Sequence, residues 1–331
     1  MKKFELTENF RMCLGHKLFQ IRALVNINEV VAAGETGGYI EKEDNLSQFD
    51  NAWVSGNAQV FENAIVSGNS MVLENSMVYG DAFLTGNSSV EENAHVYGDT
   101  YIGGNSRVSG NSRVYGNALV YDNACVFGNS SVCGDSQVYG NSNVFGDAVL
   151  TGNSLVFGNS NVFGNSHVYG NSNVYGDAVL AGNSCVFGNS RVYGNAQLRD
   201  NVQVSDAEVF GDVKLRDNVR VSGKARLHGN VELSGDAIVS GDVPLSGDSH
   251  LSGNACVLSD SDVLQIKGLG TAHRTTTAYK TKDGIEIVCG CFRGGIEAFK
   301  EQVVNTRSGK VREEYLKFVE LIDIYFGLLR K

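Results

Sequence analysis

Proline and tryptophan are almost absent from this sequence, with one of each in 331 residues. Long apolar runs are missing too: nothing reaches membrane-spanning length, and "MKKFELTENF" is followed by no stretch able to serve as a signal-peptide core. These absences argue against a transmembrane helix, and they make the cytoplasm the expected compartment, with no membrane partner. Charge is sparse at 19% and aromatic residues make up 9%. Paired cysteines are also lacking. The seven present (Cys13, Cys125, Cys133, Cys185, Cys256, Cys289 and Cys291) are odd in number and scattered, a poor disulfide framework that suits a reducing interior. What the chain has in quantity is glycine, 40 residues, with too much valine, leucine and tyrosine for disorder. A regular, turn-dense β structure fits that balance.

The net charge of −10 is uneven. Residues 51–263 carry 9 basic and 21 acidic side chains, whereas residues 264–331 carry 12 basic and 8 acidic ones. An acidic middle argues against nucleic acid as a partner, because phosphate neutralisation needs clustered lysine and arginine.

The middle repeats itself. Every sixth residue from Val54 to Val204 is Val, Leu or Ile, and after a one-residue slip through "VSDAEV" the same holds from Val209 to Val263, giving 36 aliphatic positions. Two residues before each stands only Ala, Ser, Thr or Val. Strand alternation turns such a pair inward, as with Ser160 and Val162, and leaves Asn161 and Phe163 outside. Gly164 and Asn165 then turn the chain, since both tolerate positive φ. A corner every six residues closes a triangle every eighteen, so the spacing predicts an all-β solenoid, a parallel β-helix of hexapeptide repeats with about twelve coils. A distorted corner is expected at the slip, with the coils continuing beyond it. Asparagines recur at eighteen-residue intervals, as at Asn69, Asn87, Asn105 and Asn123, and predict ladders of stacked amides. Most acids then belong to corner chemistry.

Outward positions are more selective. Between Tyr115 and Tyr193 the residue after the aliphatic position is aromatic in 11 of 14 repeats. The plain reading is stacking between neighbouring coils; the sharper one is a sticky surface. One face combines Ile65, Phe83, Tyr101, Leu119 and Leu155 with Tyr121, Tyr139, Phe157 and Tyr175. That face is expected to be covered by a sister subunit or a terminal domain.

Solenoid ends need caps. Residues 1–50 predict a small β cap, 51–263 the β-helix, and 264–331 an α+β domain with a hairpin turning at Asp283 and Gly284. Two helices follow, at about Ile296 to Val304 and Val311 to Leu329. The apolar stripe Tyr315, Phe318, Val319, Ile322 and Phe326 on the second is expected to be core.

The segment "AGETGGYIEKEDNLSQFDNAWV" leading into hexapeptides resembles the entry module of YdcK-like hexapeptide-repeat proteins. The segment "AYKTKDGIEIVCGCFRGGIEAFKEQV" is similar to a small domain on repeat-bearing proteins of bacteriophages and prophages. The resemblance implies a left-handed helix and a phage or prophage origin.

Three functions compete. The hexapeptide superfamily is best known for trimeric acyltransferases that use a histidine and coenzyme A; His95 and His167 are the candidates, but each is alone on its coil and no loop leaves the repeats. A carbonic-anhydrase-like metal site needs converging histidines, which His16, His228, His250 and His273 do not suggest, so no metal or cofactor is expected. An inhibitor or decoy acting on a host defence protein would use the acidic repeats, yet asparagines interrupt the acids. The third reading is a non-catalytic scaffold that binds protein, as a trimer or dimer of itself or with a host protein, through the aromatic face.

Overall fold

The computed structural model describes residues 2–27, 29–271 and 273–327. They form two compact units, Met1–Gly182 and Asn183–Lys331, built mostly from one kind of coil. Each coil contributes one short strand to each of three parallel sheets, and the protein is a β-solenoid of about twelve coils with few helices.

The coil follows from its residues. Ser160 and Val162 are fully buried, and the serine hydroxyl donates to the Phe157 carbonyl three residues back at 2.9 Å, so the interior polar group is satisfied. At the corner Gly158 has φ +75°, and a Cβ there would lie 2.8 Å from the backbone nitrogen of Gly176 on the next coil. Glycine is thus required both by the dihedral and by the closeness of the coils. At two corners where an acid replaces it, the carboxylate serves the next coil: Glu62 Oε2 accepts from the Gly80 amide at 2.8 Å and Asp217 Oδ2 from Gly235 at 2.8 Å. Their backbones remain at φ +60° and +63°.

Amide ladders hold the corners. Asn51, Asn69, Asn87, Asn105, Asn123, Asn141 and Asn159 each donate Nδ2 to Oδ1 of the next rung at 2.8–3.0 Å, and the last donates to Asp177 at 2.9 Å. A second ladder runs from Asn57 to Asp147. Every bond in these two ladders points the same way along the chain, so Asp147 and Asp177 stand in them as acceptors.

In the first unit, β1 (Phe4–Cys13) and β2 (His16–Ala23) form an antiparallel hairpin, and β2 pairs antiparallel with β3 (Thr36–Ile40). β3 then pairs parallel with Gln59–Val60. Coil stacking therefore starts inside the segment 1–50, and only the hairpin and its connection precede it. Two glycines allow this: a Cβ at Gly37 would come 2.5 Å from the Val54 carbonyl, beside the fully buried Trp53, and one at Gly38 would come 2.7 Å from the Ala58 carbonyl.

In the second unit the slip is absorbed at one corner. Cys185 pairs with Gln203 eighteen residues on, but Arg191 pairs with Glu208 only seventeen on. Asp206 stands at the shortened corner with φ +51°, and its Oδ1 accepts from the Asn189 amide at 3.0 Å and side chain at 3.2 Å. Regular pairing then continues to Cys256–Val257.

Val263 departs from the expectation. Although in phase with the hexapeptides, it opens an antiparallel sheet of four strands, Val263–Leu269, Arg274–Thr281, Gly284–Cys289 and Phe292–Gly295. The cause is a turn at Asp260–Asp262, where the Asp262 carboxylate accepts the amides of Leu258 and Ser259 at 2.9 and 3.0 Å. The hairpin turns at Lys282 and Asp283, with Gly284 already paired to Thr281. Helices α1 (Ile296–Thr306) and α2 (Gly309–Tyr325) cover the sheet; Leu328 and Leu329 lie outside the described residues. The stripe on α2 is core: Tyr315, Phe318, Val319 and Ile322 bury against Ala278, Ile287, Phe299 and Val303. The domain caps the coils below it, with Tyr279 fully buried and its Oη accepting from the Ser252 amide at 3.3 Å.

Candidate interaction face

The face singled out from the sequence lies within the first unit, and register brings its residues together. Ile65 pairs with Phe83, Phe83 with Tyr101, Tyr101 with Leu119, and Leu119 with Gln137, which pairs with Leu155. Beside this column stands a second, in which Tyr121, Tyr139, Phe157 and Tyr175 stack ring on ring at 4.9, 4.8 and 4.7 Å, within 3° of parallel. The stack realises the plain reading of coil-to-coil contact. Burial pushes the Tyr121 and Tyr139 phenols above the ordinary tyrosine value, with neighbouring charge adding to it.

The first column stays open. Ile65 is 43% exposed and Phe83 38% exposed, so the N-terminal hairpin does not cover them. No outward residue on this face from Ile65 to Tyr175 is Lys, Arg, His, Asp or Glu; the positions are Ile, Phe, Tyr, Leu, Gln, Asn, Ser, Thr, Gly. Its neighbours are mixed: Arg113 and His95 stand on one, and the ion pair Arg107–Glu91 on the other. At the corner leading into the face, Asp81, Asp99 and Asp135 line up as an acidic fringe. Asn63 donates to Asp81 at 3.0 Å and Asn117 to Asp135 at 2.7 Å.

The histidines do not converge. His95 pairs with Met77 and Arg113, and burial together with the Arg113 charge holds its imidazole below the ordinary value. His167, four coils from His95, pairs with Val149 and is exposed. Among the described residues, no three His, Cys, Asp or Glu side chains are grouped to hold a metal ion, all seven cysteines are free, and no helix is long and apolar enough to cross a membrane.

Two features escaped the sequence reading. Tyr101 folds over Gly103, which stands between Thr85 and Tyr121 in the second column, and the signal was a glycine outside the corner positions. In the second unit Arg199 and Arg216 line one cleft, and their seventeen-residue spacing across the slip was the available sign. No protein-family model matches the chain, and no curated protein matches it.

Proposed function

We propose that this chain is a non-catalytic β-solenoid scaffold that binds protein through the uncharged face of its first unit. The carrying observation is one face of seven successive coils whose outward residues carry no ionisable charge except tyrosine, with exposed Ile65 and Phe83 at its start and the rigid stack of Tyr121, Tyr139, Phe157 and Tyr175 on its last four coils. Apolar patches of that extent on soluble proteins usually mark interaction sites. The acidic fringe of Asp81, Asp99 and Asp135 favours a partner whose apolar patch is bordered by lysine or arginine. That partner is a second copy, as trimer or dimer, or a host protein; the C-terminal segment's similarity to phage and prophage domains supports the latter setting.

The corner acids support the scaffold over a decoy. Glu62, Asp122 and Asp217 accept backbone amides of the next coil, and Asp147 and Asp177 accept asparagine rungs, so these carboxylates have structural employment. His95 and His167 stand four coils apart, and the strand neighbours of His95 are Met77 and Arg113, neither an acid nor a nucleophile, which supports a non-catalytic role over acyl transfer.

The test is the full chain with Tyr139, Phe157 and Tyr175 changed to Ser, compared with the unchanged chain by sedimentation and by capture from a bacterial host lysate. Self-association or a captured partner that the triple variant loses is the expected result. Unchanged association in that variant moves the interaction elsewhere. Micromolar coenzyme A binding abolished by His95→Ala or His167→Ala would overturn the proposal in favour of a transferase.

A further inference from the structure

Three sites outside the aromatic face could hold a ligand. A groove of about 620 Å³ between strand Val263–Leu269 and α2 is apolar, but its rim charges pair among themselves, Lys310 with Glu314 and Lys317 with Glu320, so nothing selects an occupant. A cleft of about 590 Å³ beside Cys291 contains His250 and His273, yet Glu232 engages His250 and no nucleophile is paired with a base. The third carries an argument.

This cleft of about 480 Å³ lies in the second unit and is lined by Gln197, Arg199, Asp200, Lys214, Arg216 and Glu232, with Leu215. Gln197 pairs with Lys214 and Leu198 with Leu215, so Arg199 and Arg216 follow in register on adjacent strands. Like charges set opposite each other across strands repel. The nearby carboxylates do not relieve them. Asp200 Oδ2 accepts the Asp217 amide at 3.2 Å, and Glu232 is shared by Lys214 Nζ at 3.0 Å and His250 Nδ1 at 3.4 Å. Hydrogen bonding to Lys214 holds the Glu232 carboxyl below its usual range, with the Arg216 charge contributing only at a distance. The Arg199 side chain donates one bond, to Gln197 Oε1 at 3.1 Å, and the Arg216 guanidinium has no hydrogen-bond partner among the described residues. Two adjacent guanidinium groups therefore keep most of their planar donor forks free, on a rigid pair of strands, beside a third cation.

We propose that Arg199 and Arg216 form a binding site for a phosphate dianion carried by a small molecule. Guanidinium forks match the oxygen spacing of phosphate and bind it bidentately. An oxyanion between the two arginines would also offset their mutual repulsion. The cleft has room for a substituent on the phosphate, so a phosphate monoester fits as well as the free ion. Asp200 and Glu232 at the margins disfavour a polyanion, which would pass close to both carboxylates.

The site is tested by calorimetry on the full chain with inorganic phosphate, glycerol phosphate and a short DNA duplex. Arg199→Gln and Arg216→Gln are compared with the unchanged chain; both side chains are exposed, and a thermal melt verifies that each variant folds. The expected result is binding of inorganic phosphate and of glycerol phosphate that each substitution weakens about tenfold. No heat at millimolar ligand, or binding that neither substitution changes, would overturn the site. Tighter binding of DNA than of either small ligand would overturn the small-molecule assignment.

Discussion

The phenol of Tyr101 lies over the α-carbon of Gly103, and a Cβ on Gly103 would stand 2.5 Å from Tyr101 Oη. Gly103 does not need a left-handed backbone, so the glycine is there for the ring. Gly103→Ala is expected to lever Tyr101 into solvent with a destabilisation of about 1 kcal/mol, at the low end of overpacking costs because the ring can swing away. Tyrosine iodination mapped by mass spectrometry reads the exposure. In a Tyr101→Ala background the same substitution should cost nothing, and an equal cost in both backgrounds would refute the relationship.

The amide ladder makes a directional prediction. Asn123→Asp keeps the acceptor that Asn105 uses at 2.9 Å but removes the donor that serves Asn141 at 3.0 Å. The expected loss is about 1 kcal/mol at neutral pH, the net value of one hydrogen bond. Stability relative to the unchanged chain should recover once acid protonates the new carboxyl and returns a donor. Thermal melts at neutral and acidic pH decide, and a pH-independent difference counts against the ladder.

The shortened corner depends on Asp206. Asp206→Asn retains an acceptor for Asn189 and tolerates φ +51°, whereas Asp206→Val loses the acceptor and strains the backbone. Asparagine is expected to be nearly neutral and valine to cost about 1–3 kcal/mol, the usual range for a strained dihedral. Melting temperatures of the two variants provide the comparison.

Docking of the N-terminal hairpin should depend on pH through His16. Its Nδ1 lies 2.9 Å from Glu41 Oε1 and its Nε2 3.4 Å from Glu62 Oε1. The hydrogen bond to Glu41 raises the imidazole above its ordinary 6.5 and, in turn, holds the Glu41 carboxyl below its ordinary 4.5. A raised histidine stabilises fully below 6.5 and loses its effect as pH climbs through the raised value; a depressed carboxylate stabilises above 4.5 and loses its effect as pH falls through the lowered one. The hairpin is therefore held most firmly between these limits. Amide exchange of Phe4–Cys13 should slow there relative to a His16→Ala variant, and parallel pH profiles for the two would exclude the latch.

The coil was legible because each interior position meets its equivalents eighteen residues away, so Ser160 or Val162 reports the same environment as every other coil. That Ile65, Phe83, Tyr101 and Leu119 share one sheet was legible for the same reason. Val263 misled because the six-residue phase survives "LSDSDV" while Asp262 gathers two amides and turns the chain out of the coils. The flanking strands Val263–Leu269 and Phe292–Gly295 were hidden by glycines at Gly268, Gly294 and Gly295, which blur the alternation that marks a strand. Tyr101 over Gly103 depends on a side-chain rotamer, which spacing does not encode.

The asparagine rungs have one more consequence. Because Asn87, Asn105, Asn123 and Asn141 give and receive identical bonds, removing or duplicating a whole turn between them leaves each remaining amide with the same kind of neighbour on either side. The first unit can thus gain or shed material in fixed increments of one turn without any new junction having to be invented, and its span becomes a heritable trait that can change independently of what it binds.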